Sequence, residues 1–202
     1  MVLGSGGHTA EMLELCRAMD PARYTPATFA LAATDRLSQA RAEDTLLSTV
    51  WAAHRDGCRF RRIPRAREVG QSWVSTVFTT ALACCHALYI VATARPELIL
   101  VNGPVRALTH TPLPRLSQAD RSHAAGGAQG TCIPLCIAAL GLEVLGLLGR
   151  TRIIYVESFC RVEHLSMTGK LLYATRMTDS FLVQWEGLAA QLPRAECIGR
   201  LV

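Results

Sequence analysis

The sequence predicts an α/β protein built on a doubly wound, mostly parallel sheet, and two observations lead to this fold class. Apolar runs of strand length alternate with helical patterns along the chain, as they do in βαβ units. Three of these runs end in glycine or polar residues, in the segments GSGGH, NGP and VES. Because parallel sheets bind ligands at the carboxyl ends of their strands, we expect the three segments to meet at one edge of the sheet.

The first half of the chain begins with a short strand over residues 1–3. The spacing of Met12, Leu13 and Cys16 predicts a helix over residues 9–19. The elements expected next are a strand over residues 28–33 and a polar helix over residues 35–49. An extended segment over residues 60–65 and a long helix over residues 68–94 follow.

The second half opens with ELILVNGP, which is typical of a buried strand that ends at a Gly-Pro pair. The helices expected after it cover residues 130–148, 166–176 and 186–192. The strands expected between them cover residues 151–158 and 180–185, and a last strand or tail covers residues 197–202. We assign residues 1–202 to a single domain. Within it, residues 105–129 have no usable period and are rich in proline, arginine and glycine. Since so long a loop is unusual in a βα unit, we interpret 105–129 as a disordered insertion.

The charge of the chain limits the kinds of partner that it can have. The formal net charge is +5, and Lys170 is the only lysine among the 21 basic residues. Arginine favours bidentate contact with phosphate and carboxylate groups, so an anionic partner and a mildly basic surface both remain open. No Lys/Arg-rich run with interleaved aromatic residues occurs, which argues against nucleic-acid binding.

Two apolar stretches, residues 77–94 and 130–149, reach the length of a membrane-spanning helix. Each carries polar residues or proline and precedes a strand, so we favour helices buried against the sheet. Their apolar surface nevertheless exceeds what one sheet of this size covers, so we also expect contact with a membrane or a partner.

The eight cysteines lie mostly inside apolar runs such as ALACCHALYIV and TCIPLCIAAL, where cysteine behaves as a small buried hydrophobic residue. No CxxC pair and no zinc-ligand spacing is present. We therefore expect reduced thiols, no metal site and a domain that faces the cytosol.

The opening segment GSGGHTAEML is the first candidate site. Gly4, Ser5, Gly6 and Gly7 form a bare loop before a helix, where backbone N–H groups and the helix dipole favour an anion. His8 follows directly and is a candidate general base or hydrogen-bond donor. The pattern lacks the third glycine of the dinucleotide-binding motif and the lysine of the Walker loop. A tight turn with Thr9 as a helix cap, and His8 as a core residue, is the alternative.

A carboxylate and two further segments complete the candidate site. Glu157, in VES, can orient a sugar hydroxyl or act as a base, or it pairs structurally with Arg161. Asn102, in NGP, is a candidate ligand for the same anion. Arg65, Arg67 and Gln71 are weaker candidates, since a solvated helix face explains each arginine equally well.

These segments together resemble a known protein family. GSGGHTAEML, FRRIPRAREVGQSWVSTVFTT, ELILVNGP, GTCIP, IIYVESFCRVEHLSMTGKLLY, DSFLVQW and IGRLV occur in the order seen in the asparagine-linked glycosylation protein fourteen family. The chain resembles this family over nearly its whole length outside residues 105–129. GSGGH with a glutamate at the sheet edge is more distantly similar to bacterial glycosyltransferases that build lipid-linked peptidoglycan precursors.

The resemblance implies a fold and a reaction. The fold is the N-terminal, acceptor-side half of a two-domain glycosyltransferase of the GT-B type. The reaction transfers N-acetylglucosamine from its UDP donor to N-acetylglucosaminyl diphosphodolichol, for protein N-glycosylation, without a cofactor. The UDP-sugar binds a separate catalytic chain, the thirteenth protein of the pathway, which this subunit recruits to the cytosolic face of the endoplasmic reticulum membrane.

The resemblance also implies roles for particular residues. His8 and Glu157 are the catalytic candidates, and the glycine loop holds the acceptor diphosphate or the transferred group. The apolar end at Leu201 and Val202 either docks the partner or forms a terminal strand packed within its own domain. Two departures from the family pattern stand out. The sequence starts three residues before the glycine loop, which we interpret as a loss of the family's N-terminal apolar anchor, and NGPGTC is interrupted by residues 105–129. A scaffold without catalytic residues and a nucleotide-binding dehydrogenase are the alternative functions.

Overall fold

The strands of this protein lie edge to edge and parallel, with helices on both faces. The computed structural model describes residues 1–4, 7–64, 73–103 and 129–201. The strands are β1 (Val2–Leu3), β2 (Ala27–Ala32), β3 (Cys58–Ile63), β4 (Leu98–Asn102), β5 (Arg152–Val156), β6 (Ser180–Val183) and β7 (Ala195–Cys197). The helices are α1 (Gly7–Arg17), α2 (Pro21–Tyr24), α3 (Ser38–Ala42), α4 (Trp73–Ala94), α5 (Gln129–Val144), α6 (Met167–Thr175) and α7 (Glu186–Ala189).

Two sheets contain these strands. One has the order β1-β2-β3 and the other the order β4-β5-β6-β7, and every paired strand runs parallel to its neighbour. Strand β1 also lies beside β4, so the two sheets continue one another. This arrangement confirms the predicted fold class.

The core divides into two clusters because successive side chains of a strand point to opposite faces of the sheet. On β1, Val2 packs with α4 and α5 in one cluster, whereas Leu3 packs with α1 in the other. On the first face α4 contributes Ala87, Ile90 and Val91. The sheet is therefore covered by helices on both faces, and the predicted doubly wound architecture holds.

Several predicted boundaries differ from the observed ones. Helix α1 begins at Gly7, two residues before the predicted start, so Thr9 lies in its first turn and does not cap it. The polar helix predicted over 35–49 is shorter: α3 passes into a π-helical turn over Glu43–Leu47. Gln129, the last residue of the predicted insertion, is the first residue of α5. The rest of that insertion, 105–128, lies outside the described residues.

Candidate functional site

The carboxyl ends of β1, β4 and β5 meet at one edge of the sheet, which we call the acceptor edge. The Nδ2 amide of Asn102, at the end of β4, donates a hydrogen bond of 2.9 Å to the backbone carbonyl of His8 in α1. The backbone N–H of Gly103 donates to the carbonyl of Val156 at 2.8 Å, at the end of β5. The structure therefore brings the described residues of GSGGH, NGP and VES together, as the parallel strand pattern predicts.

The start of the glycine loop is fixed by hydroxyl groups. The carbonyl oxygen of Gly4 accepts a hydrogen bond from the Thr9 hydroxyl, and the Ser38 hydroxyl lies 2.9 Å from the same oxygen. Ser38 is itself held by Asp35, whose carboxylate lies 2.6 Å from its hydroxyl. These contacts hold the end of β1 against α3. Ser5 and Gly6 lie outside the described residues, and Gly7 is the first residue of α1.

His8 is buried in the first turn of α1, with 2% of its surface exposed. Burial disfavours the charged imidazolium and lowers the pKa of His8 to about 4. The positive charge of Arg161 acts in the same direction, and a hydrogen bond with the backbone of Gly103 opposes both. His8 is therefore a neutral imidazole at physiological pH, which suits a general base or a hydrogen-bond donor.

Glu157 is fully buried at the end of β5. Its Oε1 accepts a hydrogen bond from the backbone N–H of Ser158 at 3.1 Å, and its Oε2 accepts one from that of Ser166 at 2.9 Å. Burial raises the pKa of Glu157, and these hydrogen bonds oppose the increase. Within the described residues Glu157 bonds to backbone groups and forms no ion pair with Arg161. The carboxylate thus ties β5 to the loop that precedes α6.

Two glycines leave room for the Glu157 carboxylate. A Cβ atom on Gly103 would overlap Oε1 of Glu157 and the Tyr155 hydroxyl, and a Cβ on Gly169 would overlap Oε2. The Tyr155 hydroxyl is itself hydrogen-bonded to the Ser166 hydroxyl at 2.9 Å. Glycine is therefore needed at both positions because backbone and carboxylate approach closely there.

Glu11 is a second buried carboxylate at the acceptor edge. Its Oε1 accepts hydrogen bonds of 2.9 Å from the Ser158 hydroxyl and from the Phe159 backbone N–H. Burial raises the pKa of Glu11, the charge of Glu157 adds to the increase, and the hydrogen bonds oppose it. Glu11 was not among the residues predicted to form the site. The signal was present, since Glu11 follows His8 by three residues and so shares its helix face.

Buried polar atoms without hydrogen-bond partners also lie at the acceptor edge. Among the described residues, Oδ1 of Asn102, Nε of Arg161 and Oγ1 of Thr168 are buried without a hydrogen-bond partner, whereas the Glu11 carboxylate is also hydrogen-bonded to the Asn102 side chain. Asn102 ends β4, and Arg161 lies in the loop after β5. Buried polar atoms are usually paired, so unpaired ones at this edge are typical of a ligand or water site.

Comparison with known proteins identifies the family. The family model described as "Oligosaccharide biosynthesis protein Alg14 like" matches residues 1–114 and 127–201. The chain belongs to the Alg14 family. The human protein named "UDP-N-acetylglucosamine transferase subunit ALG14" is 38% identical over 208 residues, covering 100% of this chain and 82% of the human one. No solved structure matches the chain.

Relatives of the same printed name occur in other eukaryotes. The rat protein is 36% identical over 212 residues, covering 100% of this chain and 82% of its own length. The Yarrowia lipolytica protein is 35% identical over 202 residues, covering 100% of this chain and 80% of its own length. These matches support a place in oligosaccharide biosynthesis as a glycosyltransferase subunit, which the resemblance implied. A dehydrogenase has no support from them.

The described part of this Alg14 family member does not include every predicted site residue. Arg65, Arg67, Gln71 and Val202 lie outside the described residues. Leu201 is half-buried against the core cluster that contains Leu3.

The outer faces of α4 and α5 are apolar and open. Val77 is 67% exposed, Phe78 73% and Tyr89 61%, and Val144 at the end of α5 is 86% exposed. One helix of the described chain, over Val77–Ala94, is long and apolar enough to cross a membrane, and only 22% of that window is buried. The expectation that both helices are buried is thus right for one face of each helix only. All eight cysteines are free thiols.

Proposed function

We propose that this chain is the acceptor-side subunit of a heteromeric N-acetylglucosaminyltransferase. With a UDP-sugar-binding partner it transfers N-acetylglucosamine to N-acetylglucosaminyl diphosphodolichol. The observation that carries the proposal is the acceptor edge, where a glycine-rich loop opens a helix beside a neutral, buried His8. Backbone N–H groups at a helix N-terminus bind phosphate, and the acceptor carries a diphosphate.

The residues have distinct parts in this proposal. His8 takes the proton from, or hydrogen-bonds to, the acceptor hydroxyl that attacks the sugar. Glu157 contributes by position, because both of its oxygens are engaged by backbone N–H groups. We assign the acceptor diphosphate to a set that comes from the loop, β4 and the segment before α4: Gly4, Ser5, Gly6, Gly7, Asn102, Arg65, Arg67 and Gln71.

The subunit also brings its partner to the membrane in this proposal. The exposed apolar face of α4 and α5 contacts the cytosolic leaflet of the endoplasmic reticulum membrane, where the lipid acceptor resides. The free thiols agree with the reducing conditions of the cytosol. The partner docks at the C-terminal tail, through Leu201 and Val202.

The test is transfer by the purified pair of subunits with His8→Ala, against His164→Ala, which removes an exposed histidine, as the matched control. We expect His8→Ala to lower kcat by about 100-fold or more, the usual effect of losing a general base, while assembly is retained. The control should match the parent chain.

A non-catalytic scaffold is the second candidate, and the complete burial of Glu157 favours it, since a carboxylate without exposed surface is not open to a ligand. Under this alternative His8→Ala leaves turnover unchanged with assembly intact. That result would contradict the catalytic proposal and leave the recruiting role.

A further inference from the structure

The two residues directly after strand β6 each donate a hydrogen bond to the segment over residues 157–159. The Nε2 amide of Gln184 donates a hydrogen bond of 3.1 Å to the backbone carbonyl of Glu157. The indole Nε1–H of Trp185 donates one of 2.6 Å to the carbonyl of Phe159. The two residues after β6 therefore hold both ends of the segment over residues 157–159, at the acceptor edge.

The same two side chains contact the C-terminal tail, residues 198–201. The backbone N–H of Leu201 donates a hydrogen bond of 3.1 Å to Oε1 of Gln184. The guanidinium of Arg200 lies over the Trp185 ring, 5.6 Å from its centroid. Each member of the pair thus lies between the tail and the acceptor edge.

The Gln184 amide is fixed at both ends. Its oxygen accepts from a backbone N–H and its nitrogen donates to a backbone carbonyl, so a flipped amide would oppose like groups on both sides. Only 3% of Gln184 is exposed, so a partner lost on one side is not replaced by water. A displacement of the tail at Leu201 is therefore passed to the carbonyl of Glu157.

We propose that Gln184 and Trp185 are positioning residues that couple the C-terminal tail to the acceptor edge. The inference rests on the proposed function, which assigns the partner to the tail and the glycosyl diphosphate to the edge. When the partner docks, it holds the tail on Gln184 and Trp185, and these hold the 157–159 segment in its binding position. Partner and acceptor then strengthen each other's binding by the same factor, because linkage is reciprocal.

Two variants test the two hydrogen bonds of Gln184, one to the tail and one to the carbonyl of Glu157. Gln184→Met keeps the length of the side chain and removes both hydrogen bonds. Leu201→Pro removes the N–H that the tail donates together with the half-buried Leu201 side chain, at a position outside the strands and helices, so a pull-down first checks that this variant still binds the partner. The matched control is Gln191→Met, which changes an exposed glutamine that bonds locally to Gly187.

The measurement is the affinity for N-acetylglucosaminyl diphosphate on a short isoprenoid chain, with and without a saturating amount of the UDP-sugar-binding partner. For the parent chain and Gln191→Met we expect the partner to tighten acceptor binding by about fivefold or more. For Gln184→Met and Leu201→Pro we expect a ratio close to one. The acceptor KM of the assembled pair should rise accordingly, while kcat changes little.

The outcomes distinguish the coupling from the function on which it rests. A parent chain that binds its partner and shows no change in acceptor affinity overturns the coupling alone. A wild-type ratio in both variants also overturns it. If Gln184→Met proves unfolded by thermal melting, Leu201→Pro decides. A parent chain that binds neither partner nor acceptor overturns the proposed function and the coupling together.

Discussion

The carboxylate of Glu11 and the hydroxyl of Ser158 form a buried hydrogen bond of 2.9 Å between positions 147 residues apart in the chain. The same carboxylate oxygen accepts the backbone N–H of Phe159 at 2.9 Å. Helix α1, which follows the glycine loop, is therefore joined to the segment after β5 by a side chain rather than by the strand ladder. This contact adds to those of Asn102 and Gly103 in fixing the relative position of His8 on α1 and Glu157 after β5.

Replacing Glu11 tests how much this connection stabilises the fold. Glu11→Ala leaves the Ser158 hydroxyl and the Phe159 N–H without their acceptor, at a cost of about 1–3 kcal/mol for each buried group. Glu11→Gln keeps a carbonyl oxygen in place and should preserve the fold. The measurement is urea denaturation of both variants, with Glu14→Ala, at an exposed position of the same helix, as a control expected within about 0.5 kcal/mol of the parent.

The charge of Glu11 adds a pH dependence to the same comparison. The pKa of Glu11 is raised on folding, so above its ordinary value of 4.5 the folded state binds more protons than the unfolded state. The contribution of Glu11 to stability therefore falls as the pH rises through its folded pKa. Glu11→Gln should gain stability relative to the parent as the pH rises above 4.5. An unchanged difference across that range would contradict the assigned direction.

The glycines around Glu157 make a second prediction. Gly103→Ala and Gly169→Ala insert a methyl group against the buried carboxylate and the Tyr155 hydroxyl, and overpacking of this kind costs about 1–3 kcal/mol. The control is Gly141→Ala in α5, where a Cβ meets nothing within 4 Å. Since alanine favours a helix over glycine, Gly141→Ala should stabilise by about 0.5–1 kcal/mol. Equal thermal shifts for all three variants would disprove the steric argument.

The strand-ending segments were predictable because they depend on local pattern and on one rule of parallel sheets. Asn102 follows four apolar residues, and Glu157 follows a similar run, so their common edge follows from the direction of the strands. The pairing of Glu11 with Ser158 was not predictable in this way. It depends on the distance between two distant segments, and a glutamate near a helix start is ordinarily an exposed residue that favours the dipole.

The apolar helices show a different limit. Composition correctly indicated that α4 has more apolar surface than the sheet covers, but it did not indicate which side is covered. Small residues such as Ala83 and Ala87 face the core, whereas the large Phe78 and Tyr89 face outward. The choice follows from close packing of the helix on the sheet, which favours small side chains at the contact. A hydropathy pattern does not distinguish the side of the helix that packs on the sheet from the side that faces outward.

His8 makes the stability of the fold depend on pH between about 4 and 6.5. Its pKa is about 4 in the folded chain and 6.5 in the unfolded one, so the unfolded state binds more protons between these values. Stability from this group is complete above pH 6.5 and falls as the pH drops towards 4, by roughly 3 kcal/mol in total. His8→Gln should lose that dependence, and His164→Gln should keep it, in urea denaturation at closely spaced pH values. Parallel curves for the two variants would contradict the buried, neutral state of His8.

The open face of α4 makes the last prediction, which concerns the membrane. Val77 and Phe78 are adjacent and mostly exposed, and full burial of such side chains is worth about 1.5–3 kcal/mol each. Serine at both positions should therefore weaken binding to phosphatidylcholine–phosphatidylinositol vesicles by about tenfold or more, without loss of folding, because neither side chain belongs to the core. Val50→Ser is the control, since Val50 is 48% exposed in the turn before Trp51, which packs in the cluster on the other face of the sheet. If the double variant binds vesicles as the parent does and instead fails to assemble with the UDP-sugar-binding subunit, the α4 face belongs to that partner and the lipid contact must lie elsewhere.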